Sequence, residues 1–85
     1  MSYRLLVKPS AKKELELLDD ANLRRVDAAI MQLVENPRRH GTKKLTGMPL
    51  YRLRIGQYRV VYEVDDARSQ ITVITIGHRR EVYRR

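Results

Sequence analysis

Arg52 and Arg54 stand two residues apart, and Arg59 and Arg79 lie further along the chain. These are the side chains best suited to chemistry in this chain. A guanidinium is a planar fork of donors that grips phosphate oxygens two at a time. It does not take up protons near neutral pH, so it stabilises charge and does not act as a base. The segment from Asn36 to Tyr62 carries seven basic residues and no acidic one. Residues 1–35 hold six basic and six acidic side chains, so the second part supplies the whole net charge of +8. A field of that sign draws in phosphate backbones and acidic protein segments, although a plain solvated surface would carry it too. Tyr83 follows the arginines in a charged tail; it can stack on a base, form a hydrogen bond, or fill the core.

Other chemistries fail on inventory. Cysteine is absent, which excludes a disulfide scaffold and a thiolate zinc site. His40 and His78 are far apart, no His/Asp/Glu group has metal-ligand spacing, and no Gly-rich phosphate loop or Ser-His-Asp set is visible. Neither metal nor cofactor is expected. An enzyme built from these residues would stabilise phosphate charge, with arginine, tyrosine and His78 as its working groups. His78 is a candidate acid or base because imidazole titrates near neutrality, and equally a strand-end histidine turned toward the core. No apolar run reaches the roughly 18–20 residues of a membrane span, and the N-terminal apolar stretch is too short for a signal peptide. The expectation is one cytoplasmic domain over residues 1–85, with a core small enough that a partner matters.

The elements that must position these groups follow from periodicity. Residues 3–8 alternate as a strand, with Tyr3, Leu5 and Val7 on one face. Pro9-Ser10 ends it, and Ser10 is a plausible cap for a helix from Ala11 to Leu18. Asp19 or Asp20 can cap a second helix, whose positions Leu23, Val26, Ile30, Leu33 and Val34 follow helical spacing until Asn36-Pro37. The short joint suggests a helical hairpin. Residues 38–49 read as one long basic loop. Then Leu50 to Ile55 alternates, Gly56-Gln57 makes a Gly-first turn, and Tyr58 to Val64 alternates again. Parity puts Tyr51, Leu53 and Ile55 on the core side and gathers Arg52, Arg54 and Arg59 on the other. Residues 70–77 are almost all β-branched, which predicts a central strand. With Thr72, Ile74 and Ile76 toward the helices, Val73 and Thr75 face the open side, and Arg79 continues that parity. The fold class is α+β: a strand, a helix pair, then a three-stranded antiparallel meander with the helices on one face.

Three segments carry a family resemblance: Lys44 to Pro49, Tyr51 to Tyr62, and Gly77 to Tyr83. The Tyr-Arg-x-Arg…Tyr-Arg hairpin and the His-Arg…Tyr ending are its most specific parts. Together they resemble the RelE branch of the RelE/ParE toxin superfamily. The resemblance implies a toxin of a type II toxin–antitoxin pair that enters the ribosomal A site and cuts mRNA by 2′-hydroxyl attack on the adjacent phosphate. By the family pattern Arg59 braces the scissile phosphate, Arg79 stabilises the leaving oxygen or helps protonate it, and Tyr83 orients the nucleotide at the cut. Arg52 and Arg54 stand where lysines are found in the best-known member. A lysine can serve as a base and an arginine cannot, so the base stays open, with His78 one candidate. Lys43, Lys44, Arg38, Arg39 and Arg80 are the expected contacts to RNA and ribosome. The implied partner is a RelB-like antitoxin with an acidic or amphipathic segment that wraps the basic half. Two other readings fit the same charge: a ParE-like inhibitor of DNA gyrase, and a basic RNA-binding module without catalysis.

Overall fold

The computed structural model describes residues 2–78 of the chain. Strand β1 (Arg4–Val7) leads into helix α1 (Pro9–Glu16) and helix α2 (Asp20–Glu35). Strands β2 (Thr42–Lys44), β3 (Leu50–Ile55), β4 (Tyr58–Asp65) and β5 (Gln70–His78) follow. They form one five-stranded sheet in the order β1-β5-β4-β3-β2, with β1 parallel to β5 and the other pairs antiparallel. The class is α+β, as the pattern implies, but the sheet has two more strands than the meander alone. The three-residue β2 lies inside the segment expected to be a loop and pairs Lys43 with Arg52.

Helix boundaries follow local chemistry. Helix α1 starts at Pro9, two residues earlier than its apolar stripe suggests. Proline at the first helical position lacks only an N–H that would be orphaned there anyway, and Lys8 takes the cap position. Asp19 caps α2 by accepting from the Asn22 backbone N–H at 2.8 Å. The helix ends before Pro37, with Asn36 in extended conformation.

The core forms between the helices and one sheet face. Ala11, Val26, Ala29, Ile30 and Leu33 meet Leu53, Val60, Tyr62, Ile71, Val73 and Ile76. Placing Val73 in this cluster corrects the parity expected for β5. The register passes from Val61↔Thr75 to Tyr62↔Val73, so Ile74 is an extra residue opposite no partner. This bulge re-phases the strand. Ile71 and Val73 face the helices before it, and Ile76 does so after it. Thr72, expected among the helix-facing residues, takes the other parity.

At the far end of the sheet a polar network ties the chain together. The Arg38 guanidinium donates to both Asp66 carboxylate oxygens, at 3.1 and 2.8 Å, and its Nε to the Tyr51 hydroxyl at 3.1 Å. Tyr3 donates to the same Asp66 at 2.8 Å. Tyr51 stacks on Tyr62 with ring centroids 5.8 Å apart, and the Tyr62 hydroxyl donates to the Pro37 carbonyl. Burial pushes the Tyr62 phenol up to about 12.

Candidate functional site: the arginine face of the sheet

The sheet face turned away from the helices carries the basic side chains, and the register builds it row by row. In the row next to the hairpin turn, Arg54 pairs directly with Arg59, which pairs in turn with Gly77. The next row runs Lys43, Arg52, Val61, Thr75. Beyond it stand Leu50, Glu63, Thr72 and Leu6. Four cations therefore share two adjacent rows, with one acid a row away. The tight turn that brings Arg54 and Arg59 together needs a left-handed residue first, and Gly56 supplies it at φ +58°.

The central strand gives these groups unequal environments. Arg54 is exposed, whereas Arg59 is only 7% exposed, the one buried charged residue among those described. Gly77, across from Arg59, has no side chain to compete for the space above the sheet. A guanidinium held away from bulk water interacts with an arriving anion at a lower effective dielectric, so it attracts that anion more strongly than a freely solvated one would. Cross-strand like charges repel when no anion is present.

One acid reaches this region from α1. Beyond Val7 the outer edge of β5 loses its strand partner, after a last backbone bond from Lys8 N–H to the Val73 carbonyl at 3.0 Å. Glu14 takes over. Its Oε1 accepts from the Thr75 hydroxyl at 2.9 Å and from the Ile76 N–H at 3.3 Å. Sequence reasoning missed Glu14 as part of this region. The available signal was its place one helical turn after the buried Ala11.

The expected site residues separate into three groups. Arg52, Arg54 and Arg59 come together as parity implies, and Lys43 joins them through β2. Arg38, Arg39 and Lys44 do not join that set. Arg38 is engaged by Asp66 and Tyr51 on the helix-facing side. The Arg39 carbonyl accepts from Thr42, and Lys44 pairs with Tyr51, at core-side parity on an exposed edge. His78 closes β5 at the register position opposite Tyr58. Arg79, Arg80 and Tyr83 lie outside the described residues. Among the described residues no group of three or more His, Asp or Glu could hold a metal ion, and no helix is long and apolar enough to cross a membrane.

Comparison with known proteins agrees with this geometry. Residues 5–83 match the family model described as ParE toxin of type II toxin-antitoxin system, parDE. The mRNA interferase toxin RelE of Escherichia coli K12 is 34% identical over 88 residues, covering 98% of this chain and 92% of that protein. The toxin in the archaeal RelE-RelB complex from Pyrococcus horikoshii superposes with a TM-score of 0.83 at 31% identity, covering 95% of this chain and 99% of that one. A chain of the intact E. coli RelBE toxin-antitoxin complex gives 0.81 at 30% identity, covering 91% and 96%. On the family match over residues 5–83 and these full-length likenesses, the chain belongs to the RelE branch of the RelE/ParE superfamily of type II toxin–antitoxin toxins.

Proposed function

We propose that this toxin is an endoribonuclease that cuts mRNA in the ribosomal A site, without a metal ion. The observation that carries the reading is the direct pairing of a buried Arg59 with Arg54, with Arg52 in the adjacent row of the same sheet face, which no described helix covers. Relatives named mRNA interferase share the chain over nearly its full length. The 2′-oxygen of one nucleotide attacks its 3′-phosphorus, and the bond from phosphorus to the next 5′-oxygen breaks. A base removes the 2′-hydroxyl proton and an acid returns a proton to the 5′-oxygen, leaving a 2′,3′-cyclic phosphate and a 5′-hydroxyl. Arg59 braces the non-bridging oxygens as charge builds on them, with Arg52 and Arg54 beside it. Arg79 stabilises or protonates the leaving oxygen and Tyr83 orients the nucleotide. His78 is the titratable group in the set suited to the proton steps.

The solved relatives in complex with RelB support a partner of the same kind for this chain, a RelB-like antitoxin that neutralises the basic face. The test is purified toxin on ribosomes programmed with mRNA, with 5′ ends mapped by primer extension. Cuts in phase with the reading frame are expected, and a reduction of about tenfold or more in Arg59→Ala and in Tyr83→Phe. Unchanged cleavage in both variants overturns the assigned site. Intact mRNA with inhibited supercoiling by gyrase selects the ParE-like activity instead.

A further inference from the structure

The described part of the molecule has one more concavity built from polar groups. It lies where the first turns of α2 meet the β3–β4 hairpin tip. Asn22, Arg25, Gly56, Gln57 and Tyr58 line a cavity of about 340 Å³. Arg25 lies against the tip. Its two terminal nitrogens sit 3.2 and 3.4 Å from the point where a Cβ on Gly56 would be, so the guanidinium lies close over the bare backbone of the turn. No acid on α2 explains that position. The residues three and four away from Arg25 are Asn22, Ala28, Ala21 and Ala29, and no salt bridge to it occurs among the described residues. The cavity thus presents a cation seated on backbone, two carboxamides and a phenol ring. That set suits a phosphate with an attached base.

Its location decides what fills it. Arg54 and Arg59 are the residues immediately flanking the Ile55–Tyr58 turn, on the opposite face of the sheet. A polyanion lying on the arginine face and continuing past the hairpin tip therefore arrives at Arg25. We propose that this cavity is a flanking-nucleotide subsite, which takes a phosphate and base of the RNA strand beyond the reacting pair. The proposal rests on the ribonuclease reading above and extends it to a second contact on the same strand.

Binding of 2′-O-methyl oligouridine, which lacks the attacking hydroxyl, tests it by fluorescence anisotropy over a salt series. The wild type is compared with Arg25→Gln, Asn22→Asp and, for the sheet face, the exposed Arg54→Gln. Thermal melts check folding of each variant. Arg25→Gln is expected to weaken an octanucleotide about three- to tenfold and to reduce the slope of log affinity against log salt by about 0.7, the single-strand value for one phosphate contact. Asn22→Asp, which places an anion in the cavity, is expected to weaken it further. A dinucleotide, too short to round the tip, should bind all but Arg54→Gln equally. Loss in Arg54→Gln with an unchanged Arg25→Gln overturns the subsite and leaves the ribonuclease reading standing. So does an equal loss for the dinucleotide, or an Arg25 effect seen only with an acidic peptide. No loss in any variant overturns both.

Discussion

Arg54→Gln should make the free toxin more stable and, on the proposed ribonuclease reading, a poorer enzyme. Arg54 and Arg59 are direct cross-strand partners on one face, and Arg59 is only 7% exposed. Two guanidiniums about 6 Å apart repel by about 2.8 kcal/mol at an effective dielectric of about 20 and by about 0.7 kcal/mol in bulk water, and the exposed Arg54 places the pair toward the lower value. Like charges opposite one another in antiparallel pairs generally cost about 0.2–1 kcal/mol. Glutamine keeps most of the side-chain length and removes the charge, so the gain should be about 0.5–1 kcal/mol. For a domain of this size that is a rise in Tm of about 2–8 °C. Differential scanning calorimetry at about 10 mM salt measures it. The gain should shrink at about 1 M salt, where the Debye length is about 3 Å. On the proposed ribonuclease reading, the same variant should cleave ribosome-bound mRNA at least about tenfold more slowly, because that reading gives Arg54 a phosphate contact worth about 1.4 kcal/mol or more. A variant that melts at or below the wild-type temperature at low salt refutes the reasoning, because the pair would then not be in mutual repulsion.

Two further perturbations bear on the polar network at the other end of the sheet. Tyr62→Phe keeps the stack on Tyr51 but leaves the Pro37 carbonyl without its donor, and should destabilise by about 1–3 kcal/mol in urea titrations. Because the Tyr62 phenol is raised from 10.0 to about 12, its contribution is intact below pH 10 and lost as pH rises toward 12. The gap between wild type and Tyr62→Phe should therefore close over that interval; a constant gap rejects the linkage. Asp66 is held below the usual carboxylate value of 3.8 first by the Arg38 hydrogen bonds and then by Tyr3. Its contribution is present above pH 3.8 and lost as pH falls through its lower folded value, so Asp66→Asn should flatten the acid limb of a stability profile, and an unchanged limb rejects the role.

What the sequence made legible was whatever local chemistry decides. Asp19 as a cap, Gly56-Gln57 as a tight turn and the shared face of Arg52, Arg54 and Arg59 all follow from neighbours within a few residues. The misses have non-local causes. Thr42-Lys43-Lys44 has no apolar alternation, because β2 is an edge strand whose lysines suit an exposed edge and whose extended form is imposed by β3. The run from Ile71 to Ile76 is β-branched on both faces, so it carries no parity signal, and nothing in it marks Ile74 as the bulge. Arg38 read as one more basic loop residue because its partner Asp66 is 28 positions away. Glu14 was overlooked in the same way, since its hydrogen-bond partner Thr75 is 61 positions distant.

The parallel pairing of β1 with β5 has a consequence for how the toxin comes into being. The earliest strand to leave the ribosome has no place to dock until the latest one follows it, since Arg4 to Val7 find their neighbours only at Gln70 to Val73. Such distant closure slows assembly. The hairpin with its arginines can emerge early, but its backing is finished only when β5 is inserted between β1 and β4. A nascent or truncated chain thus lacks the keystone, and the arginine face has its full backing only once Gln70 to His78 have been made.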